Sequence, residues 1–296
     1  MELRVLQYFL AIAREQSISG AAEFLHISQP TLSRQIRDME EELGKQLFIR
    51  GNRRISLTEE GMILRKRAEE ILGLVKKTED EIAFSDDISE GDVYIGAGET
   101  HAVHLLAEGA SQLQLQYPGI RYHIASGDTT DVLEELDRGL IDFGLLFDSV
   151  DKSKYECLQL PHQDIYGILM RRDCALAKKE VITPEDLWEL PLICNRNSTH
   201  NENDLFKWLK KDRTEINIIA TYNLLYNASI MVEAGIGYAF ALDNIINTTG
   251  TSPLCFRPLS PRLDAHMFLV WKKYQVFSKA AEKYLLQMQE LMNSSY

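Results

Sequence analysis

No Cys-x-x-Cys pair, no long apolar run and no excess of positive charge occurs in this chain of 296 residues, and each absence removes a class of protein. Cys157, Cys174, Cys194 and Cys255 lack metal-ligand spacing, which disfavours a zinc site or a disulfide framework and leaves four reduced thiols acting as small hydrophobes. No uninterrupted apolar stretch approaches the roughly 18 residues that a membrane helix needs. The opening MELRVLQYFLAIARE is broken by Arg4, Gln7 and Arg14 and makes no signal-peptide core. The expectation is a soluble, cytoplasmic protein with no membrane partner. There is no Gly-x-Ser-x-Gly elbow, no repeat of solenoid period and no low-complexity tract. Gly96-Ala97-Gly98 lacks the third glycine of a dinucleotide fingerprint, since His101 stands there. His101 and His104 lie at i, i+3 without a carboxylate or cysteine at matching spacing, so neither a metal nor any other cofactor is expected.

What remains is a globular chain long enough for two domains, with 45% hydrophobic and 26% charged residues. Its formal charge of −12 argues against coating nucleic acid by bulk attraction but leaves room for a local DNA-reading face. Ser28 to Leu43, SQPTLSRQIRDMEEEL, is the stretch that organises the rest. Ser28 can cap a helix, and Pro30 suits only its first turn. Leu32, Ile36, Met39 and Leu43 recur at four, three and four, within about 40° of Leu32 on a helical wheel. Pro30, Arg34 and Arg37 fall opposite, with Ser33 on the flank. Together with Gln29 and Thr31 they put donors for base edges and phosphates near the helix N-terminus, as a recognition helix requires. Ser19 precedes a short helix, Gly20 to Leu25, and His26-Ile27 connects tightly into Ser28, giving helix–turn–helix order. After Gly44, FIRGNRRISL reads as a two-stranded wing around a Gly-Asn turn, carrying Arg50, Arg53 and Arg54 with no acid. Residues 28–57 hold six Lys/Arg against four Asp/Glu, and the acids sit away from the helix start.

The run AAEFLHISQPTLSRQIRDMEEELGKQLFIRGNRRISLTEEG is similar, nearly position by position, to the N-terminal signature of LysR-type transcriptional regulators. Thr31 departs from it where Ala is more usual. The resemblance extends along the whole chain. It implies that Gln29, Ser33 and Arg34 approach double-stranded DNA through the recognition helix, while the wing arginines hold phosphate or minor groove. It further implies a dimer or tetramer on an interrupted inverted repeat, a small-molecule effector, and contact with RNA polymerase.

Leu3, Leu6, Phe9, Leu10 and Ala13 form the stripe of a first helix under the helix–turn–helix. Thr58 caps a later helix in which Leu64, Ala68, Ile71, Val75, Thr78 and Ile82 make a heptad seam. Such a seam on a long helix between domains suits pairing with a second copy, and the resemblance assigns the same role. Leu64, Ala68, Ile71, Val75 and Ile82 are therefore the candidate dimerisation residues. Asp86 to Gly91 marks a hinge. Strand, helix, strand, helix, strand then alternate over 93–147 (strands 93–97, 120–125 and 141–147; helices 101–117 and 130–138), the order of a parallel, doubly wound sheet. A second half begins near Ile165 to Leu169, with strands at Leu192 to Cys194 and Ile216 to Ile219. Val232 to Phe240 is similar to the AGxGxA run of LysR-type effector domains, with Leu242 replacing a common proline. Phe268 to Trp271 and a helix around Ala280 to Met292 return to the first half.

The expected fold is α/β: a winged helix–turn–helix (1–58), a linker and dimerisation helix with hinge (59–90), and a two-lobed, periplasmic-binding-protein-like effector domain (91–296). Lobe I takes about 91–162 and 266–296, and lobe II about 163–265. In a doubly wound sheet, ligands lie beyond the carboxyl ends of the strands. That rule selects Gly98, Glu99, Thr100 and His101 after one strand, and Asp128, Thr129 and Thr130 after the next. Asn195, after a lobe II strand, closes the cleft from the other side. The resemblance matches Thr100 and Thr129 to effector-contacting positions. Glu99 would repel an anion, which favours a polar ligand with a donor or cationic group, such as an amino acid or amine. The expected function is a LysR-type regulator rather than an enzyme. A two-lobed α/β enzyme, or a small-molecule binding protein with an accessory helical head, is the alternative.

Overall fold

The computed structural model describes residues 1–51, 54–83, 90–147, 151–199 and 204–294. The chain divides into two compact units, Met1–Ala83 and Phe84–Tyr296. The long fourth helix therefore shares a unit with the helix–turn–helix instead of standing apart from it.

In the first unit, α1 (Leu3–Glu15) buries Val5, Leu6, Phe9, Ala11 and Ile12. The buried arc is turned toward Val5 and Ile12 relative to the expected stripe: Leu3 is 45% exposed, and Leu10 and Ala13 are half-buried. The reason is that α1 meets α2, α3 and the fourth helix on more than one side. Helix α2 (Ile18–Phe24) begins earlier than expected, because Ser17 and not Ser19 accepts the Gly20 N–H, at 3.2 Å. Ser19 instead donates to Gln29 Oε1, 3.2 Å away at the start of α3. Buried Ala21 and Ala22 present little more than a methyl each, which lets the neighbouring helices close in.

Helix α3 (Gln29–Leu43) is capped by Ser28, whose hydroxyl accepts from Thr31 N at 3.3 Å, and is closed by Gly44 at φ 65°. Leu32, Ile36 and Met39 are at most 2% exposed, but Leu43 is 42% exposed, so the buried stripe ends one turn sooner than its spacing suggested. The wing follows as β1 (Phe48–Arg50) and β2 (Ile55–Leu57), antiparallel with Phe48 opposite Leu57. Glu40 Oε1 accepts from Leu47 N (2.7 Å) and Phe48 N (3.3 Å), tying the wing's root to α3.

Thr58 starts α4 (Glu59–Ala83), accepting from Gly61 N at 3.0 Å and donating to Gln46 O at 2.8 Å. Ala68 is fully buried, and Leu64, Ile71 and Leu72 pack against the core of the same unit. The first half of the expected seam, Leu64, Ala68 and Ile71, thus packs on the core of its own unit, in which α4 also contacts α1. Val75 is half-buried, and Ile82, at 69%, is exposed.

The second unit is built on one sheet of order β4-β3-β5-β11-β6-β9-β7-β8, with β10 also on β6. β3 (Glu90–Ala97), α5 (Val103–Gln116), β4 (Gly119–Ser126), α6 (Thr129–Asp137) and β5 (Phe143–Phe147) make the first lobe, with β3 parallel to both β4 and β5. Helix α6 starts one residue earlier than expected, because Asp128, not Thr129, is its cap. No fresh strand opens the second half. β6 (Tyr155–Arg171) runs unbroken from one lobe into the other, antiparallel to its neighbours. The second lobe adds β7 (Leu192–Asn195), α7 (Asp204–Leu209), β8 (Ile218–Tyr222), α8 (Leu225–Glu233), β9 (Tyr238–Leu242) and β10 (Leu254–Pro258). Thr183-Pro184-Glu185-Asp186 forms a capping box on a single 3₁₀ turn. Gly235, at φ 81°, turns α8 into β9. β11 (Asp264–Lys272) crosses back beside β6 and β5, and α9 (Lys279–Ser294) packs on α5 and β3. The sheet is thus mixed: parallel within each lobe, joined by the antiparallel pair β6 and β11. Tyr284 on α9 is buried and donates its hydroxyl to Leu106 O at 3.0 Å, locking the returning helix onto the first lobe. No described helix is long and apolar enough to cross a membrane.

A Cβ at Gly61 would lie 2.2 Å from the Leu47 carbonyl oxygen. Backbone cannot swing aside as a side chain can, so Gly61→Ala should destabilise the first unit by about 1–3 kcal/mol despite alanine's better helix propensity. Chemical denaturation followed by circular dichroism checks this; an unchanged or raised midpoint would contradict the close approach of α4 to the wing.

Candidate DNA-reading face and ligand cleft

Burying Leu32, Ile36 and Met39 turns the opposite side of α3 to solvent. Gln29, Pro30, Thr31, Arg34 and Arg37 are exposed and Ser33 is half-buried. Thr31 and Ser28 share a hydroxyl hydrogen bond of 2.7 Å, so Thr31 reinforces the cap. Arg34 lies 3.9 Å from Asp38, with the two side chains 83% and 56% exposed, a loose pair that a phosphate or base edge can outcompete. Arg54 is exposed at the foot of β2. Arg53 and the side chain of Arg50 lie outside the described residues.

In the second unit, the ends of β3 and β4 in one lobe face the ends of β7 and β8 in the other around a cavity of about 160 Å³. Gly98, Glu99, Asp128, Thr129 and Asn195 line it, five of the eight expected residues. Phe147, Tyr166, Tyr222 and Phe240 supply aromatic wall, and the rings of Tyr166 and Phe240 stack at 5.1 Å. Asn197 and Asn223 add polar groups; Leu242 and Ile245 add apolar ones.

Three expected residues are elsewhere. Thr100 is 7% exposed, donates its hydroxyl to buried Asp164 and accepts from Ala102 N at 3.0 Å, so its only hydroxyl proton is committed inside the fold. His101 is exposed on the far side of that loop, its ring 5.5 Å from that of His104, beside a separate shallow hollow. Thr130 is exposed and contributes its N–H to the Asp128 cap at 3.0 Å.

Two contacts cross the cleft, and the sequence signalled neither. The Leu225 N–H, at the start of α8, donates to Glu99 Oε2 from the opposite lobe. Arg196 Nε donates to Asp128 Oδ2, and its Nη2 to Asp131 Oδ2 at 2.7 Å. Burial alone would raise the Asp128 pKa; the Arg196 guanidinium, the Asp131 N–H and the Asn197 side chain outweigh it and hold the carboxyl below its ordinary value. Asp128 also caps α6, with Asp131 returning the bond to Asp128 N at 3.2 Å. The Tyr222 hydroxyl donates to Phe240 O at 2.8 Å, and burial drives its pKa up, keeping it neutral. Burial likewise pushes the Cys194 thiol up to about 12, an inert small hydrophobe behind Asn195.

Arg196→Gln should loosen the closed cleft while leaving α6 capped, and small-angle scattering should record a larger radius of gyration. The wild type should resemble the variant in acid. A depressed folded pKa contributes stability that is present above the ordinary carboxylate range and is lost as pH falls through the Asp128 value. If variant and wild type scatter alike at neutral pH, the Arg196 bridge does not hold the lobes.

Comparison with known proteins places this geometry. Residues 3–62 match the model of the bacterial regulatory helix-turn-helix protein, lysR family, and residues 87–293 match that of the LysR substrate binding domain. The uncharacterized HTH-type transcriptional regulator YfeR of Shigella flexneri is 25% identical over 280 residues, covering 95% of this chain and 91% of that protein. The HTH-type transcriptional regulator BsdA of Bacillus subtilis (strain 168) is 33% identical over 201 residues, 66% of this chain and 67% of that protein. Among solved structures, CbnR, a LysR family transcriptional regulator, superimposes with a TM-score of 0.76 at 18% identity, covering 99% of both chains. Full-length CbnR complexed with its target DNA gives 0.74 at 20% identity, over 98% of this chain and all of that one. At these identities the structures establish the fold alone. A helix–turn–helix head joined to a two-lobed substrate-binding domain defines a DNA-binding transcriptional regulator, not an enzyme. The chain belongs to the LysR family.

Proposed function

We propose that the protein binds operator DNA through α3 and the wing as a homodimer or tetramer, and that a small molecule between the lobes modulates this binding or the activation that follows. One observation carries the reading. Gln29, Arg34 and Arg37 stand exposed on the unburied face of a rigidly capped helix, with no acidic side chain in its first two turns. The net charge of −12 weakens sequence-independent attraction, so the affinity rests on these few placed contacts. Two recognition helices related by a two-fold axis would read an interrupted inverted repeat in the cytoplasm, with RNA polymerase as a further partner. Mapping protected DNA across a bacterial genome tests the whole, and sites without dyad symmetry would count against it.

Within that reading, Arg34 contacts a base or a phosphate. Arg34→Ala should cost about 1–3 kcal/mol of discrimination if the contact is to a base, and should weaken all sequences alike if to phosphate. Titration on operator and scrambled DNA across a salt series separates the two. Equal affinity to wild type on both would remove Arg34 from the interface.

The self-association surface is the part of α4 that its own unit leaves open. Leu74 (37%) and Ile82 (69%) are exposed apolar residues there, with Val75 half-buried between them. Leu74→Glu with Ile82→Glu places charge where a partner would bury it. The double variant should sediment as a smaller species and lose high-affinity operator binding while its circular dichroism stays native. Retained wild-type assembly would move the interface off this helix.

A further inference from the structure

The cleft that this reading assigns to an effector has an electrostatic character that narrows the ligand class. Helix N-termini converging on strand ends ordinarily make an anion site. Here the chain has already spent three of those donors on its own carboxylates. Glu99 accepts the first N–H of α8, and Asp128 accepts the Thr130 and Asp131 N–H groups at the start of α6. The described lining includes Glu99 and Asp128 and no Lys, Arg or His. The nearest cation, Arg196, is shared between Asp128 and Asp131, one positive charge for two negative ones. Only Oε2 of Glu99 is engaged; its Oε1 has no partner among the described residues. An incoming carboxylate would therefore meet like charge with no lysine, arginine or histidine in the described lining to answer it, whereas an ammonium would meet an open carboxylate oxygen.

The rest of the lining suits the same guest. Phe147, Tyr166, Tyr222 and Phe240 bring four aromatic rings to one small cavity, and ring faces attract cations. Leu242, Ala241 and Ile245 offer apolar surface to a hydrocarbon stem. The side-chain amides of Asn195, Asn197 and Asn223 include carbonyl oxygens that can accept from further N–H groups. The cavity of about 160 Å³ corresponds to roughly five water volumes, enough for an amine of four carbons.

We propose that this cleft binds a small primary amine as its ammonium ion, with Glu99 Oε1 as the charge partner and the aromatic wall around it. The proposal rests on the regulator reading for its biological consequence but not for its chemistry. Calorimetric titration and thermal unfolding of the full chain, at constant ionic strength, compare three probes of matched shape: n-butylammonium, n-butanol and butyrate. Butylammonium should bind best and, at saturating concentration, raise Tm by about 2–4 °C, with butanol weaker and butyrate without effect. Glu99→Gln keeps an acceptor for the Leu225 N–H but removes the charge, so it should lower butylammonium affinity at least about tenfold while the unliganded Tm stays near wild type. Glu99→Asp, which retains the charge, should recover part of the binding.

Butyrate binding as tightly as butylammonium, butylammonium affinity unchanged in Glu99→Gln, or no binding of any probe would each overturn the assignment. Should the Glu99 variants fail to fold, the order of the three probes on wild type decides alone. Failure of the regulator reading shows separately, as wild-type protein without salt-dependent, sequence-selective DNA binding, whatever the amine does.

Discussion

Backbone N–H groups at a helix start have no partner within the helix, and how this chain satisfies them shapes both units. Ser28 accepts from Thr31 N and fixes where α3 begins, which decides which side of that helix is buried. Thr58 does the same for α4 and, by donating to Gln46 O, pins the helix to the base of the wing. At the starts of α6 and α8 in the second unit the acceptors are carboxylates and they reach further. Asp128 caps α6 while holding Arg196 from the other lobe, and Glu99 supplies the first acceptor for α8 across the cleft. One local requirement thus positions the exposed side chains of α3 and also draws the two lobes together.

The use of charged acceptors in the cleft has a chemical consequence. A helix start capped by serine keeps a neutral site, but one capped by aspartate or glutamate becomes an acidic one. Capping by Glu99 and Asp128 gives the cleft a sign before any ligand arrives. It also makes the closed arrangement depend on partly solvated ionic contacts, which are individually weak and readily exchanged for contacts to a ligand.

Helix α4 meets different surroundings along its length. Where α1 runs beside it, Leu64, Ala68 and Ile71 are core residues of their own unit. Farther along, Leu74 and Ile82 are apolar and open. The heptad pattern runs through Leu64 and Ile82 alike, because spacing reports that a face is apolar and says nothing of what covers it. The same ambiguity explains α1, where Leu3 and Leu10 fitted a stripe but the surrounding helices buried Val5 and Ile12 instead.

Local signals were sufficient for α3 and its surroundings, though not for the starts of α2 and α6, which Ser17 and Asp128 cap. The Ser28 cap, Pro30 in the first turn, Gly44 at positive φ, and the exposed Gln29, Arg34 and Arg37 could all be read from the chain, as could the alternation of strands and helices over 93–147. Five cleft residues were legible because strand ends and helix starts fall together in a parallel sheet. That Thr100 lies outside the cavity lining was not legible because its hydroxyl is held by Asp164, sixty-four residues away. Arg196, Asp131 and the contact from Leu225 to Glu99 escaped notice for the same reason. β6 continues through what looked like the start of a new half, since an extended strand shared by two lobes has no break in its pattern. The sequence by itself determined most of the elements, the Ser28 and Thr58 caps and the exposed side of α3, all consequences of short-range periodicity and hydrogen bonding. Only the tertiary structure decided which polar groups remain available to a ligand, because that depends on partners the fold brings together from distant parts of the chain.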